Sequence, residues 1–376
     1  MLRVMASPRH TIPVARGLAA ATAVTAAAGL AWAVHPSPTP AAPRPRAAAV
    51  PLTRLVGQRL VVAISGTRAG PRMLARIRAG QVGGVILFAS NIAGPRQLRR
   101  LTGTLQAAAR AGGQPPLLIA VDQEGGSVKR ITWAPPTLSP AEMAAAGRAA
   151  ARSQGRATGT ALRRLGVNLD LAPVMDVPTS TSSFIWAQGR AWSFSPRTTA
   201  RVATAFAVGL GRGRVIAAAK HFPGLGRARV STDLAVVTIR APALRLASGL
   251  VPFRRAVRHG VPLVMLSTAR YPEYASHAAA WSPRIISGVL RSRLGFAGAT
   301  ITDSLNAAAS VRGVPVAGVA LRSARAGADL LLLTGGPRRS AAVYRDLVAA
   351  ARAGTLPRAQ LARSYRRILR LKRRLA

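Results

Sequence analysis

The chain has 376 residues, 49% of them hydrophobic, with 54 Lys and Arg against 10 Asp and Glu, a formal net charge of +44. That apolar content excludes disorder over most of the length, and the lack of cysteine excludes a disulfide framework and a lipid-attachment cysteine. Such a charge draws nucleic acid, anionic lipid and acidic wall polymers alike; because the arginines are spread along the chain with the many alanines, charge alone selects no partner.

Residues 1–33 have the layout of an export signal: Arg3, Arg9 and Arg16 flank the apolar stretch GLAAATAVTAAAGLAWA, and Ala31-Trp32-Ala33 is a small-x-small cleavage site. Cleavage there starts the mature protein near Val34 and makes it extracellular or wall-associated. The same apolar stretch is long enough to serve as an uncleaved membrane anchor. Residues 34–50, rich in Pro and Ala, suit an extended tether.

From residue 51 onward short β-rich runs alternate with longer segments of helical period. The runs are LVVAIS (60–65), GVILFA (84–89), LLIAVD (117–122), VNLDLAPV (167–174), VIAAAKHF (215–222), PLVMLST (262–268), ATITDS (299–304) and ADLLLLT (328–334). Continuously apolar strands suit a parallel sheet buried on both faces. The segments between them look helical, as in SPRTTARVATAFAVGLGRG, where Ser195 is placed to cap and Pro196 to occupy the first turn. Eight βα repeats predict an α/β fold, a single (β/α)8 barrel of the TIM type over residues 51–376. A doubly wound sheet is the rival, but ISGTRAGPR is a poor phosphate-binding turn. The terminal segment ARSYRRILRLKRRLA spaces Leu361, Tyr365, Ile368, Leu369 and Leu375 along one helical face with basic residues on the other, a pattern that suits a membrane- or polyanion-binding helix and, better, a last barrel helix with a solvated basic side.

A barrel places its chemistry at the C-terminal ends of its strands. Polar residues stand there: Asp122, Asp176, Lys220 with His221, Ser267 with Thr268, and Asp303. There is no HExxH, and His221, His259 and His277 lack ligand spacing, so neither a metal nor a cofactor is expected. No GxSxG elbow is present. Isolated carboxylates with Lys, Arg and His at one mouth are what a glycosidase needs, to serve the reacting carbon and the leaving oxygen and to bind sugar hydroxyls.

Five segments in this order, VGGVILFASNI, LLIAVDQEGGSVKRI, LGVNLDLAPVMDV, VIAAAKHFPGLG and ATITDSLNAAA, resemble glycoside hydrolase family 3, especially its one-domain β-N-acetylglucosaminidases. The resemblance spans roughly residues 52–375 and implies a (β/α)8 barrel, in agreement with the strand count. It implies that Asp303 is the nucleophile of a retaining double displacement, although an Asp at that place can also cap the following helix. It implies sugar-binding roles for Asp122, Arg130, Lys220 and His221, and for Arg190 on a less similar segment. Glu124 would stabilise its loop, and Asp176 would be architectural.

The loop after KHFPG departs from the family. Many one-domain members continue with His-Gly-Asp-Thr and then an Asp-x-His dyad whose His is the general acid/base. Here Leu225 and Arg227 replace the first His and Asp, Ser231 stands at the dyad Asp and Asp233 at the dyad His. Three explanations stay open: Asp233 is the acid/base; Asp233 holds the loop or a sugar hydroxyl while another group supplies the proton; or the chain binds glycans without cleaving them. The resemblance implies an exported enzyme that removes terminal β-linked N-acetylglucosamine from glycans or muropeptides of the cell wall, with nonspecific attraction to anionic wall polymers. A specific nucleic-acid partner is not expected, since aromatic content is 4% and no binding module is evident.

Overall fold

A computed structural model describes residues 50–375. The expected export segment and, apart from Val50, the tether lie outside the described residues. Eight parallel strands follow one another around a barrel: β1 (Leu60–Ala63), β2 (Gly84–Leu87), β3 (Leu118–Val121), β4 (Leu169–Asp170), β5 (Ile216–Phe222), β6 (Leu263–Leu266), β7 (Ala299–Thr302) and β8 (Leu331–Leu333). β8 pairs with β1 through Leu60↔Leu331, and the barrel closes where β7 meets β8 at Ile301↔Leu330, with the Leu330 N–H donating to Thr300 O at 2.8 Å and the Thr302 N–H to Leu330 O at 3.0 Å.

Apolar runs without alternation form these strands because both faces are buried. Val61, Ile86, Leu118, Leu169, Ile216, Leu263 and Ile301 point inward and fill the barrel. Their neighbours, such as Leu60, Val62, Val85, Ile119 and Val264, pack outward under the helices. The outer layer comprises α1 (Pro71–Arg78), α2 (Pro95–Ala111), α3 (Gly147–Arg164), α4 (Pro196–Arg212), α5 (Ala243–Arg258), α6 (Arg284–Arg293, a π-helix), α7 (Val316–Ala326), α8 (Gly336–Arg352) and α9 (Arg358–Arg373), with shorter turns between. Ser195 caps α4 as its sequence requires, its Oγ accepting the Thr198 N–H at 3.3 Å, with Pro196 in the first turn.

Two boundaries differ from the sequence pattern. The fourth strand, expected over 167–174, is regular only at Leu169–Asp170, with one further bridge from Val174 to Lys220. Pro173 has no N–H to contribute, and ladder positions at the strand's start are taken by a side chain: Asn168 accepts the Ile119 N–H at 2.7 Å and donates to Leu117 O at 2.9 Å. In α9 and the turn after it, Leu361, Tyr365, Ile368 and Leu375 are buried as expected, whereas Leu369 is only partly so and Leu371 takes its place. Ile368, Leu371 and Leu375 join the barrel-interior cluster and plug its N-terminal end, each burial contributing roughly 1.5–3 kcal/mol. The helix is therefore the last barrel element. Among the described residues no helix is long and apolar enough to cross a membrane.

Candidate active site

At the C-terminal mouth a cavity of about 740 Å³ has the barrel's uppermost interior layer, Ile86, Leu171, Met265 and Leu332, in its wall. Asp122, Arg130, Arg190, Lys220, His221, Asp233 and Asp303, from five different segments, all line it. Ser267 and Thr268 do not. The Ser267 Oγ accepts the Ala269 N–H at 3.0 Å, the Thr268 carbonyl accepts from Arg312 at 2.8 Å, and both residues are buried beside the cavity instead of in it.

One wall begins with Asp122, directly after β3. The chain turns there into a two-stranded hairpin, Gln123–Gly125 against Val128–Lys129. Gly125 and Gly126 take φ of +97° and +59°, and a Cβ on Gly125 would stand 2.7 Å from the Leu138 carbonyl oxygen, so the turn requires glycine. Gln123 is buried and anchors the hairpin: its side chain donates to Ile131 O at 2.9 Å and accepts the Ile131 N–H at 3.0 Å, and its own N–H donates to Asp170 Oδ1 at 3.0 Å. Asp170 is a site-supporting residue that motif reasoning passed over. Burial raises its carboxyl well above the usual range, despite the Gln123 N–H, and it supports the hairpin from within the core. Its sequence signal is a lone acid inside an apolar strand.

A charge lattice ties this hairpin to the opposite segments. Lys220 at the end of β5 donates to Asp122 Oδ1 at 2.7 Å and stands 2.7 Å from Glu124 Oε1; Arg190 grips Glu124 through two parallel bonds of 2.8 and 2.7 Å. Burial alone would neutralise Glu124, but Arg190 and Lys220 outweigh it and hold the carboxyl at about 2. Lys220 is likewise 2% exposed, and Asp122 and Glu124 more than offset its burial, raising its pKa. Glu124, expected only to stabilise its loop, is thus the hub of the lattice and also reaches the cavity wall. Arg130 lines the same wall half-buried, its Nε without a partner among the described residues.

His221 is held from behind. Its Nδ1 is 2.6 Å from Asp176 Oδ2, and the other Asp176 oxygen accepts the His221 N–H at 3.2 Å and the Leu225 N–H at 2.7 Å. A carboxylate only accepts, so Nδ1 carries the proton and Nε2 is left for the cavity. Asp176 is therefore architectural, as anticipated, and in addition fixes the ring of a cavity residue.

Asp303 follows β7, and its Oδ1 accepts the Ser304 N–H at 2.8 Å. The helix cap at this place is Ser304, whose Oγ accepts the Ala307 N–H at 3.2 Å and lies 2.7 Å from Thr334 Oγ1. Capping therefore leaves Asp303 free to face the cavity. Across from it, Asp233 sits on an open loop; its backbone N–H donates to Ser231 Oγ at 3.2 Å. Solvent reaches this side chain within the cleft, yet protein surrounds it on most sides. That crowding, and secondly the charge of Asp303, push its carboxyl up to about 6. Among the described residues no group of three His, Cys, Asp or Glu side chains is arranged to hold a metal ion.

A carboxylate-lined pocket at the C-terminal mouth of a (β/α)8 barrel, with cations cross-linking its walls, defines a barrel glycoside hydrolase. Residues 56–371 match the family model described as the glycosyl hydrolase family 3 N terminal domain, and the chain belongs to that family. It is 32% identical over 350 residues to an uncharacterized secreted glycosyl hydrolase of Arthroderma benhamiae, covering 88% of this chain and 96% of that one. To a beta-hexosaminidase of Alkalilimnicola ehrlichii it is 34% identical over 299 residues, covering 77% and 84%. The structure of a family 3 beta-N-acetylglucosaminidase from Paenibacillus superposes with a TM-score of 0.82 at 32% identity; the match covers 87% of this chain and 63% of the Paenibacillus protein.

Proposed function

We propose that the protein is an exported β-N-acetylglucosaminidase that removes terminal β-linked N-acetylglucosamine from cell-wall glycan fragments with retention of configuration. The observation that carries this reading is the pair Asp303 and Asp233 in one cavity, beside the cation-braced wall of Asp122, Glu124, Lys220 and Arg190. Relatives named beta-hexosaminidase and beta-N-acetylglucosaminidase support the sugar. The N-terminal signal pattern and the secreted relative support export.

In the first step an Asp303 carboxylate oxygen bonds to the anomeric carbon while the bond from that carbon to the leaving oxygen breaks. Asp233, protonated up to about pH 6, gives its proton to that oxygen. In the second step the Asp233 carboxylate takes a proton from water, the water oxygen bonds to the anomeric carbon, and Asp303 departs. Asp122, Arg130, Lys220 and His221 hold the sugar hydroxyls, and Arg190 acts on the sugar through Glu124 as well as directly. A 5-fluoro N-acetylglucosaminyl fluoride tests the intermediate: the adduct mass is expected on the peptide containing Asp303, and an adduct on another carboxylate overturns the assignment.

A further inference from the structure

The loop that carries Asp233 has a second cavity behind it. Leu225 and Ser231–Asp233 face the catalytic cavity, whereas Pro223, Gly224, Gly226, Arg227 and Arg229 line a separate space of about 540 Å³, completed by Arg245 of α5, Phe194 and the two tyrosines Tyr271 and Tyr274. The two cavities differ in charge balance. In the front one Asp122, Glu124, Asp233 and Asp303 stand with Arg130, Arg190 and Lys220, while the rear one has no acid in its wall and three arginines.

Arg227, Arg229 and Arg245 form no ion pair among the described residues. Three guanidinium groups around one concavity repel one another, and a chain with 10 acidic residues has little to neutralise them from within. The tyrosines add two further features. The Tyr271 hydroxyl donates to Gly224 O at 3.0 Å, tying the wall directly to the loop, and the Tyr274 hydroxyl is buried without a hydrogen-bond partner. Unpaired guanidiniums with an unsatisfied hydroxyl are the donors that an oxyanion accepts from, and charge-assisted bonds of this kind are about twice as strong as neutral ones. Phe194, 41% exposed, offers an apolar face beside them.

We propose that this rear cavity binds an oxyanion, a phosphate or carboxylate group, and that its occupation fixes the loop carrying Asp233. Arg227 and Arg229 lie between Gly226, which is packed against Val177, and the exposed stretch that leads to Asp233, so an anion bridging them to Arg245 on α5 cross-links the loop to the barrel. The anion has two possible sources: a free inorganic ion, or an acidic appendage on the substrate's leaving portion. The second rests on the glycosidase reading; the first does not.

Equilibrium dialysis of the full chain with inorganic phosphate in 150 mM NaCl, with hydrogen exchange of the 225–237 segment, tests the proposal. The expected result is one saturable site, weakened at least tenfold in R227Q/R229Q/R245Q but unchanged in the control R338Q/R339Q/R345Q on the exposed side of α8, and slower exchange in the loop when phosphate is bound. Should the triple variant fail to fold, R245Q alone, at an exposed helix position, must show a measurable loss of affinity. If phosphate does not saturate, a tenfold rise in KM for a carboxylate-bearing glycan, with a neutral aryl N-acetylglucosaminide unaffected, supports the site and identifies the substrate as the source. Equal weakening in both triple variants, or neither binding nor a KM change, overturns it. Phosphate binding and exchange are read without turnover, so failure of the glycosidase reading is separately visible.

Discussion

The two halves of the segment from Lys220 to Asp233 are built differently. In the first half Lys220 and His221 are 2% and 5% exposed, the lattice and Asp176 fix their side chains, and a Cβ on Gly226 would fall 1.7 Å from the Val177 carbonyl oxygen, so the chain is seated against its neighbour. In the second half only Ala228 and Thr232 are buried; Arg229, Val230 and Asp233 are exposed, and Leu234 just beyond is 77% exposed. The half proposed to hold the sugar is therefore part of the core, and the half proposed to supply the proton is the more exposed one. A substitution in the first disturbs buried charges; a substitution at the exposed positions of the second, Asp233 among them, has little structural cost. This explains physically how a family barrel keeps its sugar wall while an aspartate stands where the acid/base histidine is usual.

Variants sharpen or break this contrast. The largest expected effect is in the shared partner of both halves: Asp303→Asn removes the proposed nucleophile and should lower kcat by about 10⁴-fold on every substrate, read from initial rates, with an unchanged melting temperature. Next, Asp233→Asn should cost about 10³-fold on natural glycans, whose leaving oxygen needs a proton, and far less on an activated aryl glycoside. Its parent should also show a pH limb. Because the acid works only when protonated, and its carboxyl is pushed up to about 6, kcat/KM on natural glycans should fall with rising pH above about 6, and Asp233→Asn should abolish that limb.

Stability tests separate the halves further. Glu124→Gln leaves Lys220 and Arg190 as buried cations short of their partner and should destabilise by about 3 kcal/mol in urea unfolding. The same residue predicts an acid dependence. Its folded pKa, about 2, lies below the ordinary value of 4.5, so its contribution is present above about pH 4.5 and is lost as pH falls towards 2. The smallest effect belongs to the open half, where Leu234→Ser should change stability by less than about 0.5 kcal/mol. A large loss there would show that the loop is packed after all.

The barrel was legible because a strand buried on both faces has nowhere to put polar residues, and eight such runs stand out against the arginine-rich helices. Strand four was over-read because Asn168 performs ladder bonding with its side chain, which no apolar pattern records. The cavity residues could be named from their motifs, yet the motifs do not show what they hold: Glu124 as lattice hub and Asp176 behind His221 emerge only when segments distant in sequence meet. Ser267 and Thr268 show the converse, since a polar residue at a strand end can be consumed by its own turn. The rear cavity left no trace in any motif, because Arg227, Arg245 and Tyr274 come together only through packing of the loop on α5 and the segment after β6.

The most direct test is the rate at which the mature domain releases an activated aryl group from β-N-acetylglucosamine, measured beside Asp303→Asn and against the β-glucose analogue. A good leaving group needs little protonation, so this assay examines the nucleophile and the sugar wall apart from the altered loop. The account predicts turnover of the N-acetylglucosamine substrate by the parent and none above background by Asp303→Asn. A parent that binds the sugar yet releases nothing, or an Asp303→Asn variant that retains the parent's rate, would contradict it.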